Sequence, residues 1–216
     1  MNRTSHHTVD VVRVAGQHWH ALEDDCVVGR GHTTYRPDGR IYVSVDAWHA
    51  STFDLLAAAM LTALPRPLHT LVDEADRDLT DQWTEAGFVR HRREWEYVVP
   101  TDPLLTGLAD VAPVRGTTVR ALDARHTVAL WHDERLGIIR VAPLPRRPVI
   151  GRLEVRPDVR RRGIARALLA HVLGDLHAAG TADVSGIVDE TNVAAVALAE
   201  AVGGRRTGSN LELVLR

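Results

Sequence analysis

The sequence of 216 residues predicts a mixed α/β fold that is built from two related units. Short β-rich runs alternate with longer segments in which apolar residues recur at helical spacing. Both halves follow the order strand, long helix, strand, shorter helix, glycine stop and terminal strands. The stops at Gly87 and Gly203 occupy equivalent places, and an arginine cluster follows each of them. This repetition predicts a tandem of similar units.

The N-terminal half begins its predicted structure with a hairpin. Residues 29–46 contain two β-rich runs around a turn at residues 36–39. Ser51 or Thr52 can cap a helix that extends to Leu64, where the following proline ends it. The remaining elements predicted in this half are a strand at 68–72, a helix at 75–86 and one or two strands at 88–99.

The C-terminal half follows a boundary that we place at residues 100–113, which contain three prolines. The elements predicted after it are strands at 118–122, 127–131, 136–141 and 149–155, a helix at 163–179, a strand at 183–188, a helix at 192–202 and a strand at 211–215. We therefore expect an N-terminal unit at residues 1–100, a linker at 101–116 and a C-terminal unit at 117–216.

Composition and charge exclude several classes of function. The formal net charge is −2, which gives no general attraction to nucleic acid or to an anionic membrane. All 26 basic residues are arginine, so chemistry that needs a lysine is excluded. The apolar stretches are too short to span a bilayer, and no charged and then apolar leader begins the chain. The single cysteine, Cys26, cannot form a disulfide within the chain, which is typical of a reducing compartment. We therefore expect a cytoplasmic protein.

The chemistry of the chain is predicted at Arg160-Arg161-Arg162-Gly163-Ile164-Ala165, where a strand leads through a basic turn into a helix. The first N–H groups of a helix have no partner within it and lie at the positive end of its dipole. A pyrophosphate placed there gains several charge-assisted hydrogen bonds. The glycine allows a close approach of the anion, and the small alanine leaves room for the phosphates.

This segment resembles the signature of the GNAT superfamily, which is Gln or Arg, two residues, Gly, one residue, and then Gly or Ala. The preceding residues 153–157 fit the family's fourth strand, and Asn192 lies where an asparagine begins the family's next helix. The resemblance is good over residues 117–216 and weak over residues 29–99. It implies a GNAT-like mixed, mostly antiparallel sheet flanked by helices, with a degenerate GNAT-like unit at the N-terminus.

The resemblance also implies a coenzyme site. The fourth and fifth strands of the family splay apart, and the pantetheine of an acyl-CoA lies in the gap. Leu153 and Val155 would then offer backbone groups to the pantetheine, and Asn192 would contact it. Backbone N–H groups of the turn would donate hydrogen bonds to the pyrophosphate, and arginine side chains would lie on either side of it. The residues of this pyrophosphate site are Arg160, Arg161, Arg162, Gly163, Ile164, Ala165 and Arg166. The cosubstrate is acetyl-CoA or another acyl-CoA.

The sequence departs from the family in its catalytic groups. The family's usual acidic positions fall on Val149 and Ile187, and its tyrosine position falls on Ala199, so all three are apolar here. Glu154 is the first candidate for a general base, although a solvent-facing strand residue explains it equally well. Asp189 and Glu190 are further candidates, and the alternative for them is a cap of the following helix.

A second departure is a missing segment. Little more than residues 122–126 separates the first two strands of the C-terminal unit, where the family has two helices beside the acceptor site. We expect the N-terminal unit, or a second protomer of a homodimer, to cover that side. The N-terminal unit has no comparable basic loop between Val45 and Phe53, so we expect it to bind no coenzyme of its own.

Three classes of function remain open. The first is an N-acyltransferase, most simply an acetyltransferase, whose acceptor is a small-molecule amine or an amine of a protein or peptide. The second is a catalytically silent acyl-CoA-binding or regulatory module, and the third is another phosphate-binding or dinucleotide-binding protein. No G-x-G-x-x-G motif follows a strand, which disfavours the third class. The 12 histidines form no recognised ligand spacing, so no metal site is expected.

Overall fold

The structure of the protein is a computed structural model that describes residues 8–36, 39–111 and 114–216. The first part of the chain contains β1 (Asp10–Ala15), β2 (His18–Glu23), β3 (Cys26–Tyr35), β4 (Ile41–Ala47), α1 (Ala50–Ala63), β5 (Leu68–Asp73), α2 (Arg77–Glu85) and β6 (Val89–Pro100). The second part contains α3 (Pro103–Thr106), β7 (Thr118–Ala121), β8 (His126–Trp131), β9 (Glu134–Ala142), β10 (Val149–Val155), α4 (Ile164–Ala178), β11 (Asp183–Asp189), α5 (Val193–Ala201) and β12 (Arg205–Leu215).

The chain divides into two compact units, and their bounds differ from those expected from the sequence. Unit 1 comprises residues 1–93 and 209–216, and unit 2 comprises residues 94–208. The physical reason is strand pairing. The last residues of β12 pair with β5, whereas the last seven residues of β6 pair with β11. The segment expected to be a linker also carries α3 and the buried Leu108, which belongs to the core of unit 2.

The strands of unit 1 lie in the order β1-β2-β3-β4-β5-β12. Every neighbouring pair is antiparallel except β4 and β5, which are parallel. Phe53, Leu56 and Met60 recur at helical spacing and bury one face of α1 against the sheet. Trp83 of α2 packs edge-on against Phe53, with ring centroids 4.9 Å apart. Gly87, with φ of 94°, follows α2 as expected.

The strands of unit 2 lie in the order β6-β11-β10-β9-β8-β7. The single parallel pair is β10 with β11, so the arrangement of strand directions repeats that of unit 1. The helix α4 packs on this sheet through Ile164 and Leu168. Its close approach depends on Gly137, because a Cβ there would lie 3.1 Å from Leu168 Cδ1 and 2.8 Å from the Glu154 carbonyl oxygen.

The predicted fold class is therefore confirmed: a mixed, mostly antiparallel sheet flanked by helices. The structure adds β1 and β2, which the sequence analysis did not predict. Five of the six residues of β1 are exposed, so that strand lacks the period-two pattern of a half-buried strand, whereas β2 does alternate, with Trp19 and Ala21 buried. The predicted turn at residues 36–39 includes Pro37 and Asp38, which lie outside the described residues.

Candidate functional site

The strands β10 and β11 separate soon after they begin. They pair only at Val149 with Ser185 and at Ile150 with Gly186. Beyond these positions each strand pairs only with its outer neighbour: β10 with β9, and β11 with β6 as far as Asp189. The facing edges of the two strands are therefore open from Gly151 onward.

The open edge of β10 presents the backbone of Leu153 and Val155. The N–H of Arg156 donates to the Leu136 carbonyl oxygen of β9 at 2.8 Å. Because the backbone groups of successive strand residues point to opposite edges, the groups of Glu154 also face β9. Those of Leu153 and Val155 consequently face the gap between β10 and β11. The sequence analysis expected these two residues to offer backbone groups there.

The chain leaves β10 through a turn that an arginine holds in place. Arg156 donates from Nε and Nη2 to the two carboxylate oxygens of Asp158, at 2.7 and 2.8 Å. It also donates from Nη1 to Glu134 of β9. The bond from Arg156 lowers the pKa of the Asp158 carboxyl. A 3₁₀ turn at Pro157–Val159 follows, in which Val159 is buried against the core of unit 2.

The loop between this turn and α4 has an unusual backbone. Arg161 has φ of 64° and Gly163 has φ of 86°, so both lie in the left-handed region. Backbone segments that mix right-handed and left-handed residues turn successive N–H groups toward one side and form concave anion sites. Gly163 is also the N-cap of α4, and it has no side chain to accept a bond from the first turn. The first N–H groups of α4 therefore have no side-chain cap at Gly163.

The side chains of the loop divide by position. Ile164 is buried in the core, so only its backbone can face a ligand, and Ala165 is half-buried. The basic side chains are exposed; they are Arg160, Arg161, Arg162 and Arg166. Arg160 Nε donates to the carbonyl oxygen of Val155 at 3.1 Å, and Arg166 Nη2 donates to that of Gly107 at 3.3 Å. Together they surround the start of α4 with positive charge.

Comparison with known families agrees with this geometry. The model of the Acetyltransferase (GNAT) family matches residues 68–203, which are more than half of the chain. The chain belongs to the GNAT family. No curated protein matches it in sequence.

Solved structures of GNAT proteins share the fold. A GCN5-related N-acetyltransferase from Sphaerobacter thermophilus is similar with a TM-score of 0.72 and 14% identity, over 94% of this chain and 82% of the other. A tandem GNAT protein from the clavulanic acid biosynthesis pathway is similar with a TM-score of 0.72 and 15% identity, over 92% and 82%. A GNAT-family acetyltransferase from Colwellia psychrerythraea has a TM-score of 0.63 and 11% identity, over 92% and 85%.

In this GNAT protein the candidate base Glu154 lies on the solvent side of β10. Its side chain is 57% exposed, and it accepts a bond from Arg152 Nη2 at 2.6 Å. This bond holds the pKa of Glu154 below its ordinary value. Leu153 and Val155 pack toward the core on the other face. A carboxylate with a lowered pKa is a weak base, so the environment does not prepare Glu154 for proton abstraction.

Polar side chains at the end of β11 and before α5 make local hydrogen bonds. Asp189 accepts bonds from the backbone N–H and the hydroxyl of Thr191, at 2.8 and 2.6 Å. Asn192 is the N-cap of α5, and its Oδ1 accepts a bond from the Ala195 N–H at 3.1 Å. Asp189 thus holds the turn before α5, whereas Asn192 caps the helix and lies at the end of β11 that separates from β10.

The structure also brings together groups that the sequence analysis did not connect. Tyr97 of β6 pairs in register with Gly186, the last β11 residue that pairs with β10. Its hydroxyl donates to Glu200 Oε1 at 3.2 Å and accepts a bond from Arg206 at 3.3 Å. No local pattern could have revealed this group, because its members lie on three separate elements.

Two further findings concern the described residues alone. Across residues 8–36, 39–111 and 114–216, no three His, Cys, Asp or Glu side chains are grouped as metal ligands would be. The helices found in these ranges are also too short or too polar to traverse a lipid bilayer.

Proposed function

We propose that this chain is an N-acyltransferase that transfers an acyl group, most simply acetyl, from acyl-CoA to an amine. The observation that carries this proposal is the loop at Arg160–Ala165. It combines two left-handed residues, a glycine N-cap and exposed arginines at the end of a strand that has separated from its neighbour. Membership of the GNAT family supports the reaction class.

The residues of unit 2 fit an acyl-CoA. The pyrophosphate would lie on the N–H groups from Arg161 to Ala165, with the charges of Arg160, Arg162 and Arg166 around it. The pantetheine arm carries amides, and the backbone groups of Leu153 and Val155 that face the gap are suitable partners for them. Asn192 would contact the same arm through its side chain, while its Oδ1 continues to cap α5.

The proposed chemistry needs no covalent enzyme intermediate. The amine nitrogen attacks the thioester carbonyl carbon, a C–N bond forms, and the C–S bond breaks. One proton leaves the nitrogen and one reaches the departing thiolate. We infer that the chain contributes mainly by holding the two reactants together, because orientation alone can supply about 7–11 kcal/mol of a barrier. Water, or the exposed Glu154, carries the proton away.

A second function has an observation in its favour. Val149 and the exposed Ile187 are apolar where the family often has acids, and Ala199 replaces the family's tyrosine. Glu154, the remaining candidate, is paired with Arg152. These features favour a catalytically silent acyl-CoA-binding module. The acceptor is a small amine or a peptide amine in the enzyme hypothesis, and the silent module needs none.

We also propose that unit 1 binds no coenzyme. The strand β4 ends at Ala47 and α1 begins at Ala50, so only two residues connect them. The corresponding connection in unit 2 runs from Arg156 to Gly163 and contains the anion loop. We therefore expect one molecule of acetyl-CoA to bind per chain.

Calorimetry of acetyl-CoA binding tests the site. The variant Gly163→Glu should weaken binding by at least about ten-fold, because its carboxylate would repel the pyrophosphate. Gly163→Gln is the matched control: it has the same length and the same strained φ but no charge, and it should weaken binding less. Equal affinity of both variants and the wild type would remove the pyrophosphate assignment.

A thiol-release assay with a panel of amines then separates the two functions. Release of CoA that depends on an added amine, and that Gly163→Glu suppresses, supports the transferase. Tight binding of acetyl-CoA without any release across the panel supports the silent module. Gly174→Ala serves as a neutral control in both assays, because a Cβ at that position of α4 meets nothing within 4 Å.

A further inference from the structure

A buried carboxylate lies in unit 1, outside the proposed coenzyme site. Glu212 of β12 is completely buried. Arg40 Nη1 donates to its Oε1 at 2.9 Å, Arg92 Nε donates to its Oε2 at 2.5 Å, and His69 Nδ1 lies 2.8 Å from its Oε1. A buried charge is costly unless several partners bond to it, and these three partners meet that requirement.

The buried carboxylate orients the ring of His69. The Nδ1 edge of His69 faces Glu212, so Nε2 lies on the opposite edge of the ring. The ring stacks on Tyr42, with centroids 5.3 Å apart and an angle of 28° between the planes. Burial and the charge of Glu212 raise the pKa of Tyr42 to about 12, so its ring remains neutral. His69 is therefore an imidazole held on two sides.

A cavity of about 440 Å³ opens beside this imidazole. Its walls are Arg66, Pro67, His69, His91, Val214 and Arg216. The rings of His69 and His91 meet edge to face, with centroids 6.3 Å apart. Arg66 Nη1 donates to the backbone oxygen of Arg216 at 3.1 Å, which leaves its other N–H groups for a ligand, while Pro67 and Val214 supply apolar surface. The walls therefore present hydrogen-bond donors and an apolar floor together.

We propose that this cavity is a second ligand site, for a small organic anion with an apolar body and an oxyanion head. The guanidinium of Arg66 and the imidazole of His91 would bond the head, and Pro67 and Val214 would contact the body. The buried Glu212 acts behind His69, where it fixes the ring. The head is a carboxylate or a phosphate, since both offer oxygens to the same donors.

A purely structural role for the cluster explains less. It accounts for the burial of Glu212 among basic groups, because their bonds offset the cost of burying the carboxylate. It does not explain why the held imidazole lines an open cavity together with the exposed His91 and Arg66. Neither the loop of unit 2 nor the acyl transfer proposed there uses any of these residues, so the two proposals stand independently.

Titration of the histidine ring signals by NMR tests the site in the full chain. The probes are benzoate, phenyl phosphate and, as an uncharged control of similar size, benzyl alcohol, at constant ionic strength. Either anion, or both, should give saturable shifts of the His69 and His91 signals, and the response to the two anions identifies the head group. Benzyl alcohol should bind at least about ten-fold more weakly.

Variants of two exposed arginines complete the test and should leave the fold intact. Arg66→Gln should weaken anion binding about ten-fold. Arg146→Gln is the matched control, because Arg146 is an exposed arginine that lines a separate cavity in unit 2. If neither benzoate nor phenyl phosphate gives saturable shifts, the proposal is overturned. Equal binding of benzyl alcohol, or equal affinity in the two variants, overturns it as well.

Discussion

The side chain of Arg160 bonds to the strand that precedes it, because its Nε donates to the carbonyl oxygen of Val155 at 3.1 Å. Val155 is the last residue of β10, and its backbone faces the gap between β10 and β11. One arginine thus connects the edge of the open strand to the anion loop. The loop geometry and its positive charge depend on the same side chain.

The first prediction follows from this double role. Arg160→Met keeps the aliphatic stem but removes both the bond to Val155 and the charge. We expect acetyl-CoA to bind several-fold more weakly. The affinity should also depend less on salt concentration, because one fewer arginine attracts the phosphates. Calorimetry at two ionic strengths measures both effects.

Arg146→Met is the control, since it removes an exposed arginine of unit 2 outside the loop. If both variants lose affinity and salt dependence equally, general charge alone governs binding. In that case Arg160 has no specific role in the coenzyme site.

The second prediction concerns Glu154. Because the bond from Arg152 holds the pKa of Glu154 below its ordinary value, this carboxylate stays ionised across the neutral range. The rate should therefore rise toward the pKa of the amine acceptor and show no titration of Glu154 above about pH 5. Glu154→Gln should change kcat by less than about three-fold, whereas a general base is worth about 10²–10⁴-fold.

Arg152→Gln supplies the matched test of the same pair. It frees Glu154 from its partner without removing the carboxylate, and we expect kcat to stay unchanged. A fall of kcat by two orders of magnitude in Glu154→Gln, with acetyl-CoA affinity intact, would identify Glu154 as the base and contradict the prediction.

The sequence anticipated local features of the site better than distant ones. The glycine at the start of α4 and the arginines before it form one short motif, so their place at the helix N-terminus could be predicted. Asn192 was likewise readable as the residue that begins α5. The Glu212 cluster could not be predicted, because Arg40 and His69 lie 172 and 143 residues from it along the chain. Only strand pairing brings them together.

The division into units shows the same limit. The sequence contains two similar series of elements, so the simple expectation is a boundary between the units at the point where the second series begins. The structure instead assigns the end of the chain to unit 1. Leu211, Leu213 and Leu215 lie in the core of that unit because β12 pairs with β5. Pairing between strands far apart in sequence leaves no local pattern, so the boundaries of the two units could not be predicted from the sequence.

The third prediction concerns stability. Glu212→Gln removes the charge on which Arg40, Arg92 and His69 converge, and the free energy of unfolding should fall by about 3–5 kcal/mol. Glu200→Gln is the matched control: its ion pair with Arg206 is half exposed, and its loss should cost less than about 1 kcal/mol. Urea denaturation of both variants measures the difference.

The pH dependence of Glu212 has a definite sign. Burial alone would raise its pKa, but Tyr42, Arg92 and Arg40 outweigh burial and hold the pKa below its ordinary value. Its contribution to stability is then complete above the unfolded pKa of about 4.3 and is lost as the pH falls through the folded value. The gap in melting temperature between wild type and Glu212→Gln should narrow below about pH 4. A gap that widens on acidification would contradict this assignment.

The last prediction concerns fragments of the chain. Residues 117–216 expressed alone should be poorly soluble and should not unfold cooperatively. This fragment lacks residues 94–100, which pair with all seven residues of β11, and β10 pairs with β11 at only two positions. Its β11 would therefore be left almost unpaired. It also retains residues 209–216, whose leucines would be exposed to water without the core of unit 1.

Residues 94–208 form the matched fragment, because they keep β6 beside β11 and omit the leucines that belong to unit 1. We expect this fragment to be monomeric by sedimentation and to melt in one cooperative transition. Residual acetyl-CoA binding would show that the loop of unit 2 retains its conformation in the fragment. If residues 117–216 instead form a cooperative monomer and residues 94–208 aggregate, pairing of β6 with β11 does not determine the folding unit.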